Sequence, residues 1–348
     1  MTEPGLTSLA HGGGCGCKIA PAVLSEILRA TPALPVPPEL LVGMESADDA
    51  AVWKLNDRQA LVATTDFFMP VVDDPRDFGR IAATNALSDV YAMGGRPIMA
   101  LALVGMPVKV LSPATIGAIL AGGAEVCTAA GIPVAGGHTI DSVEPIYGLV
   151  ALGLVDPARV RRNAAAQAGD LLVLGKPLGV GIMSSALKKG MLDAAGYGRM
   201  IATTTRLNTP GEALAALPGV HAMTDVTGFG LAGHGLEMAR GAGLDAVLDW
   251  AAVPVMDGVR DLARAGCVTG ASGRNWDSYG AEVALPEGFD PLERALLSDP
   301  QTSGGLLVAC AADTVDAVLD IFRAQGFAEA AVVGRMADAQ APAPMLRL

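Results

Sequence analysis

Aromatic side chains are scarce in this chain, at 4% of 348 residues, and it has only four histidines. A surface so poor in rings does not build the stacking platforms that single-stranded nucleic acids need. Positive charge is short as well: 24 Lys and Arg stand against 36 Asp and Glu, a net charge of −12. That balance opposes binding to a phosphate backbone, so nucleic acid is not an expected partner. An acidic chain that handles a polyanion must concentrate cations locally, and metal ions held by carboxylates would do so. Solubility alone explains the acidity equally well. Cysteines are few and odd in number (Cys15, Cys17, Cys127, Cys267, Cys310), and no signal-peptide pattern precedes them. Free thiols in a reducing cytoplasm are therefore expected. Long unbroken apolar runs are also missing. Between Ile98 and Ala124 the only charge is Lys109, yet Pro107, Pro113 and several glycines divide the stretch. It reads as a buried strand, IMALALVGM, then a helix opened by Ser112–Pro113 and stopping near Gly131. No membrane span is expected.

What is present is ample apolar surface, 51% of residues, and enough length for two cores. Residues 1–47 are rich in glycine, proline and small side chains, with one helical piece around PAVLSEILRA, and read as a mobile leader. Residues 48–156 alternate strands (AAVWKL, ALVATTD, IMALALV, IPVAG, IYGLVALGLV) with helices around Phe78–Met93 and after Ser112. A polar segment, DPARVRRNAAAQAGD, marks a boundary. Residues 168–348 repeat the style with LLVLGK, helices near 180–216, HAMTDVT, a helix from about Leu231, AVLDW, LLVACA, a helix and AAVVGRM. In that last helix Val315, Val318, Leu319 and Phe322 share one face. The expected class is α+β, in two mixed domains.

Residues suited to chemistry fall in three groups. The leader holds HGGGCGCK, in which Lys18 and His11 would lower the pKa of the Cys15 thiol and favour its reactive form. Incidental cysteines in a disordered leader, or a metal-binding C-x-C, are the simpler readings. Carboxylates come next: Asp48 and Asp49 precede a strand, Asp66 and Asp225 end strands, and Asn85 and Asp89 share a helix face. Aspartates at converging strand ends suit magnesium, although each alone reads as a turn or cap. Third are two phosphate-loop patterns. Gly169 to Pro177 departs from a Walker A loop in length and ends in proline. Gly228-Phe-Gly-Leu-Ala-Gly233 does match G-x-G-x-x-G, followed by Asp245 and Asp249, and supports a rival dinucleotide-binding reading.

Read together, HGGGCGCK, DDAAV, TTDFFMP, ATNALSDVYAMGG, GGHTID, DVTGFGLAGH and DPQTSGG resemble the ordered motif set of the selenophosphate synthetases. The resemblance runs from His11 to Gly305. Several of these motifs are shared across the aminoimidazole-ribonucleotide synthetase superfamily, while the leader is the specific part. It implies two sandwich-like domains of that superfamily's type, with the N-terminal one forming a dimeric β-barrel. It implies transfer of phosphate from ATP to selenide with magnesium, and with potassium as a further cation, in a homodimer. By position, Cys15 matches the catalytic cysteine and Lys18 the lysine that meets the ATP phosphates. Asp49, Asp66, Asp89 and Asp225 match metal ligands. Ser46, Ala47, Asp48, Asp66, Asn85, Asp89, Gly137, His138 and Thr139 match the nucleotide site. Cys17 is not expected to be essential. Another ATP-using enzyme of the superfamily remains the alternative.

Overall fold

The computed structural model describes residues 3–19, 21–29, 36–43, 48–340 and 345–348. The first sheet has six strands: β1 (Leu40–Val42), β2 (Ala51–Asn56), β3 (Gln59–Phe68), β4 (Arg96–Met106), β5 (Val134–Asp141) and β6 (Ile146–Val155). Their order is β1-β2-β3-β6-β4-β5. Only β4 and β5 run parallel, because a helix, α3 (Pro113–Ala129), carries the chain back between them. Strict alternation along β3 sends Ala60, Val62, Asp66 and Phe68 inward and Gln59, Thr65 and Phe67 outward.

Helix α2 (Pro75–Ala92) lies on the inner face, with Phe78, Ile81, Leu87 and Val90 fully buried. It starts where Asp74 accepts from the Asp77 N–H ahead of Pro75, and α3 starts the same way at Ser112–Pro113. The two helices approach closely because glycines face the contact. A Cβ on Gly79 would lie 1.9 Å from the Ile119 carbonyl oxygen, and one on Gly122 would lie 2.0 Å from that of Arg76. This fit fixes where the far end of α2, with Asn85 and Asp89, sits over the sheet.

The second sheet contains β7 (Leu171–Leu174), β8 (Val220–Asp225), β9 (Leu244–Leu248), β10 (Val283–Ala284), β11 (Leu306–Cys310), β12 (Ala331–Asp338) and β13 (Leu346–Arg347). The order is β10-β13-β9-β12-β7-β11-β8. Its edge strand β8 packs against α2, so the two sheets meet along one helix. Three helices that the sequence reading lacked fill 259–297: Val259–Arg264, Gly270–Tyr279 and Pro291–Leu297. They are short and mostly polar outside, with too few turns to show a period. Strand β1 joins the first sheet from within the segment read as leader, and α1 (Pro21–Arg29) is its helical piece. Among the described residues no helix is long and apolar enough to cross a membrane.

The α2–α3 contact yields a paired prediction. Gly122→Ala should cost about 1–3 kcal/mol through overpacking, read as a lowered melting temperature. Gly117 lies on the same helix with nothing within 4 Å of its would-be Cβ, so Gly117→Ala should raise stability by about 0.5–1 kcal/mol. Equal effects from the two would show that the close approach does not hold the helices in register.

Candidate active site

Three carboxylates from separate parts of the chain converge where α2 meets β8. Asp49 comes from the turn before β2, Asp89 from the last turns of α2 and Asp225 from the end of β8. One ligand atom from each lies within 4.8 Å of the others. Hydroxyls hold the group in place. Thr224 Oγ1 donates to Asp49 Oδ1 at 2.9 Å, and Thr64 Oγ1 donates to Asp89 Oδ2 at 2.6 Å. Asp49 Oδ2 and Asp225 Oδ2 are buried with no hydrogen-bond partner. Burial, and then the neighbouring carboxylates, push Asp49 and Asp89 well above the ordinary carboxylate range. Asp225 is raised too, by burial, while a hydrogen bond from Ser88 pulls the other way. Orphaned oxygens on crowded, buried carboxylates are what a hard cation such as magnesium would satisfy, so the residues fit that group.

Asp66 stands apart from these three. Its Oδ2 accepts from Asn85 Nδ2 at 2.6 Å and lies 3.9 Å from Lys18 Nζ. The Asp66 charge holds the Lys18 ammonium well above its ordinary range, against the pull of burial. Lys18 and Cys15 arrive on the 3-10 turn Gly14–Cys17 and its cap. Cys15 is 1% exposed and its Sγ donates to Asn85 Oδ1 at 3.1 Å. With Cys17, Lys18, Asp66 and Met69 it lines a cavity of about 320 Å³.

The expectation of an activated thiol is corrected here. Burial first, and then the Asp66 charge, push Cys15 well above the usual thiol range, and Lys18 offsets only part of this. His11 does not take part: its Nδ1 is 3.0 Å from Glu144 Oε2. The sequence placed a cation near the thiol but could not show the carboxylates folded against it.

The nucleotide-site positions separate. Asp48 Oδ1 accepts from the Asn163 N–H at 2.8 Å. Ser46 and Ala47 lie outside the described residues. Gly137, His138 and Thr139 sit on the exposed edge strand β5. The register Phe67↔Gly148↔Leu103↔His138 puts the imidazole on the outer sheet face, opposite Asp66. Gly137 and Thr139 alternate to the Asp66 face, but the register Asp66↔Leu149↔Ala102↔Gly137 sets them three strands away, so one chain brings none of the three to the carboxylates.

The dinucleotide reading fails on packing. A Cβ at Gly228 would meet the Cys15 carbonyl at 2.8 Å, at Gly230 the backbone of Ser298 at 2.7 Å, and at Gly233 the Phe229 side chain at 2.4 Å. These glycines admit protein, not a pyrophosphate. Lys176, of the Walker-like stretch, is buried and donates to the carbonyls of Arg206 and Ser303. Thr64 and Thr224 were missed as site residues; a hydroxyl adjoining or two positions from a strand-end aspartate was the available signal.

Residues 47–155 match the family "AIR synthase related protein, N-terminal domain", and residues 167–346 match its C-terminal domain. A selenide, water dikinase of Burkholderia ambifaria (strain MC40-6) is 70% identical over 336 residues, covering 96% of this chain and 95% of that protein. One of Burkholderia pseudomallei (strain K96243) is 69% identical over 338 residues, covering 97% and 96%. Among solved structures, thiamine-monophosphate kinase from Stenotrophomonas maltophilia K279a superposes with a TM-score of 0.64 at 22% identity, covering 93% of this chain and 94% of that one. That likeness establishes the fold: two mixed α+β domains of the AIR synthase type.

Crowded carboxylates also predict a pH dependence. In the unfolded chain these aspartates ionise near 4, whereas the folded ones keep a proton to higher pH. Their contribution is therefore fully present below about 4 and is lost as pH rises through the raised values. Asp49→Asn keeps the bond from Thr224 and removes one like charge. In EDTA it should be more stable than the parent at pH 8, on the order of 1 kcal/mol, with less difference at pH 5. A lower melting temperature at pH 8 would mark Asp49 as a purely structural anchor.

Proposed function

The chain belongs to the selenide, water dikinase family, and we propose that the Asp49, Asp89 and Asp225 cluster, Lys18 and Cys15 form the site of its reaction. The protein is a selenophosphate synthetase, a phosphotransferase acting on selenide. The single observation that carries the site assignment is the convergence of three carboxylates, two of them with orphaned oxygens, beside a buried thiol and a lysine. ATP is the phosphoryl donor in this reading. Asp49, Asp89 and Asp225 would hold magnesium, which supplies charge neutralisation at the triphosphate oxygens.

The chain's own residues account for the rest. Lys18 is half-exposed and firmly protonated, so its ammonium can turn from Asp66 to an incoming phosphate. Asp66 and Asn85 keep it poised through one hydrogen bond. Cys15 offers a protonated thiol in a cavity large enough for selenide, and the apolar Phe68 and Met69 in its lining limit competing water. The leader is docked through Thr7 to Asp73, the Gly14 N–H to the Met69 carbonyl, the Cys15 N–H to Thr302 and Lys188 Nζ to the Ala10 carbonyl, with Leu6 and Cys15 buried in the core. Nucleotide phosphates facing Lys18 would add to these contacts and hold the turn that carries Cys15 and Lys18 over the site as a lid.

His138 faces away from the carboxylates of its own chain, and Gly137 and Thr139 lie three strands from Asp66 on the edge strand β5. Their role at the nucleotide fits a homodimer whose first sheets pair outer face to outer face as a barrel. The outer face supports this, with Trp53 and Leu55 on β2, Phe67 on β3 and Ile140 on β5 exposed. Sedimentation at micromolar concentration should give a dimer, and a monomer would remove this part. All five cysteines are free, in keeping with a cytoplasmic home. Potassium has no recognisable site of its own among the described residues, and its use rests on the family resemblance.

The products test the reading. Two phosphoryl transfers at one site leave AMP, orthophosphate and selenophosphate in equal amounts. Phosphorus NMR of an anaerobic reaction should show AMP rising with selenophosphate and no lasting ADP. Stoichiometric ADP would instead indicate an ordinary kinase. Cys15→Ser should abolish selenide-dependent turnover and spare nucleotide binding, while Cys17→Ser should keep most activity.

A further inference from the structure

The motif DPQTSGG has no part in the site described so far, yet it carries the leader. Its loop, Asp299–Gly305, is wholly buried. Gln301 Oε1 accepts from the N–H groups of Gly179 and Val180, and its Nε2 donates to the Asp299 carbonyl. The Gln301 N–H donates to the Thr227 carbonyl, and Val226 N–H to that of Gly305. The loop is thus bonded on both sides and has little freedom to move.

Two consecutive residues of this fixed loop face the thiol. Thr302 Oγ1 accepts from the Cys15 N–H at 3.0 Å. The Ser303 N–H donates at 2.7 Å to Asn85 Oδ1, the same oxygen that receives the Cys15 thiol. Ser303 pays in backbone strain: at φ 55° it is the one non-glycine residue with positive φ among those described. That conformation points its N–H at Asn85 and its carbonyl at Lys176 Nζ, 2.9 Å away. From the leader side, Gly14 also has positive φ, and a Cβ there would lie 2.1 Å from Thr302 Oγ1. The turn has been kept bare where Thr302 enters. A Cβ on Gly228 would strike the Cys15 carbonyl from the opposite direction.

We propose that Thr302 is a positioning residue for selenophosphate synthesis: it locks the Gly14–Cys17 turn so that Cys15 meets Asn85, while Ser303 sets Asn85 from the same loop. The Thr302 hydroxyl bonds the Cys15 N–H and acts through it. The proposal rests on the reading of Cys15 as the reacting thiol. It adds that the C-terminal domain, 287 residues away in sequence, decides where that thiol stands. The site is complete only when leader, α2 and this loop are in register.

Thr302→Val keeps the shape and removes the acceptor, and Thr302→Ser keeps the hydroxyl. The measurements are selenide-dependent AMP formation and the rate at which iodoacetamide alkylates Cys15, read by peptide mass spectrometry and normalised to the same peptide alkylated after denaturation. Thr302→Val should lower kcat about tenfold, the worth of one buried hydrogen bond, with KM for ATP nearly unchanged. Cys15 should be alkylated several-fold faster, and Thr302→Ser should restore both values. Gly14→Ala, which displaces the same contact from the leader side, should reproduce the Thr302→Val pattern and serves if that variant folds poorly. Unchanged kcat and alkylation in Thr302→Val would overturn the proposal. So would a lowered melting temperature with full specific activity and unchanged alkylation in the folded fraction. If Cys15→Ser proved active, the thiol's role in turnover would fall, while the alkylation rates would still decide whether Thr302 positions it.

Discussion

Like charge held together against its own repulsion is the constraint on which this structure depends. Asp49, Asp89 and Asp225 come from a turn, a helix and a strand end that have no local reason to meet. At protein dielectric, carboxylates this close repel by several kcal/mol if all are ionised, so the scaffold must supply what the site costs. The glycines that let α2 and α3 touch, the threonine hydroxyls on Asp49 and Asp89, and the docking of α2 on the edge strand β8 do that. Without a cation the cluster is a destabilising element; with one it becomes a reason for the two domains to stay in register.

The same electrostatics set the state of the thiol. A cysteine beside a lysine is usually an activated one, but here burial and the Asp66 charge, which also pairs with the lysine, outweigh it. Cys15 is buried, protonated and pinned through Asn85. The turn thus presents a firmly charged ammonium and a neutral thiol next to one carboxylate. Sheet pleating separates a third function. Asp66 and Phe67 are neighbours in sequence, yet one faces Asn85 and Lys18 and the other faces out on the side of His138.

Much of this was legible in the sequence. Ser112–Pro113 announces α3, the apolar strands alternate as they should, and the spacing of Asn85 and Asp89 puts both on one helix face. Strands of two or three residues, β1, β10 and β13, show no period and were not visible. Nor did any local feature say that Asp49 and Asp225 would meet Asp89; only the resemblance to a known motif set connected them. GFGLAG misled because the reason for its glycines, close approach of backbone, holds equally for a protein neighbour and a cofactor. The part of Thr302 was hidden for the plainest reason, since a hydrogen bond across most of the chain leaves no trace in spacing.

The central claim is that the carboxylate cluster is a cation site that carries a retained proton when empty. Isothermal titration of the nucleotide-free protein with magnesium, repeated near neutral pH in two buffers of different ionisation enthalpy, tests it most directly. Ligands must lose their protons to bind a metal, so the account predicts a buffer-dependent heat corresponding to proton release, absent from Asp49→Asn. Binding heats that are identical in the two buffers, or unchanged by that substitution, would contradict it.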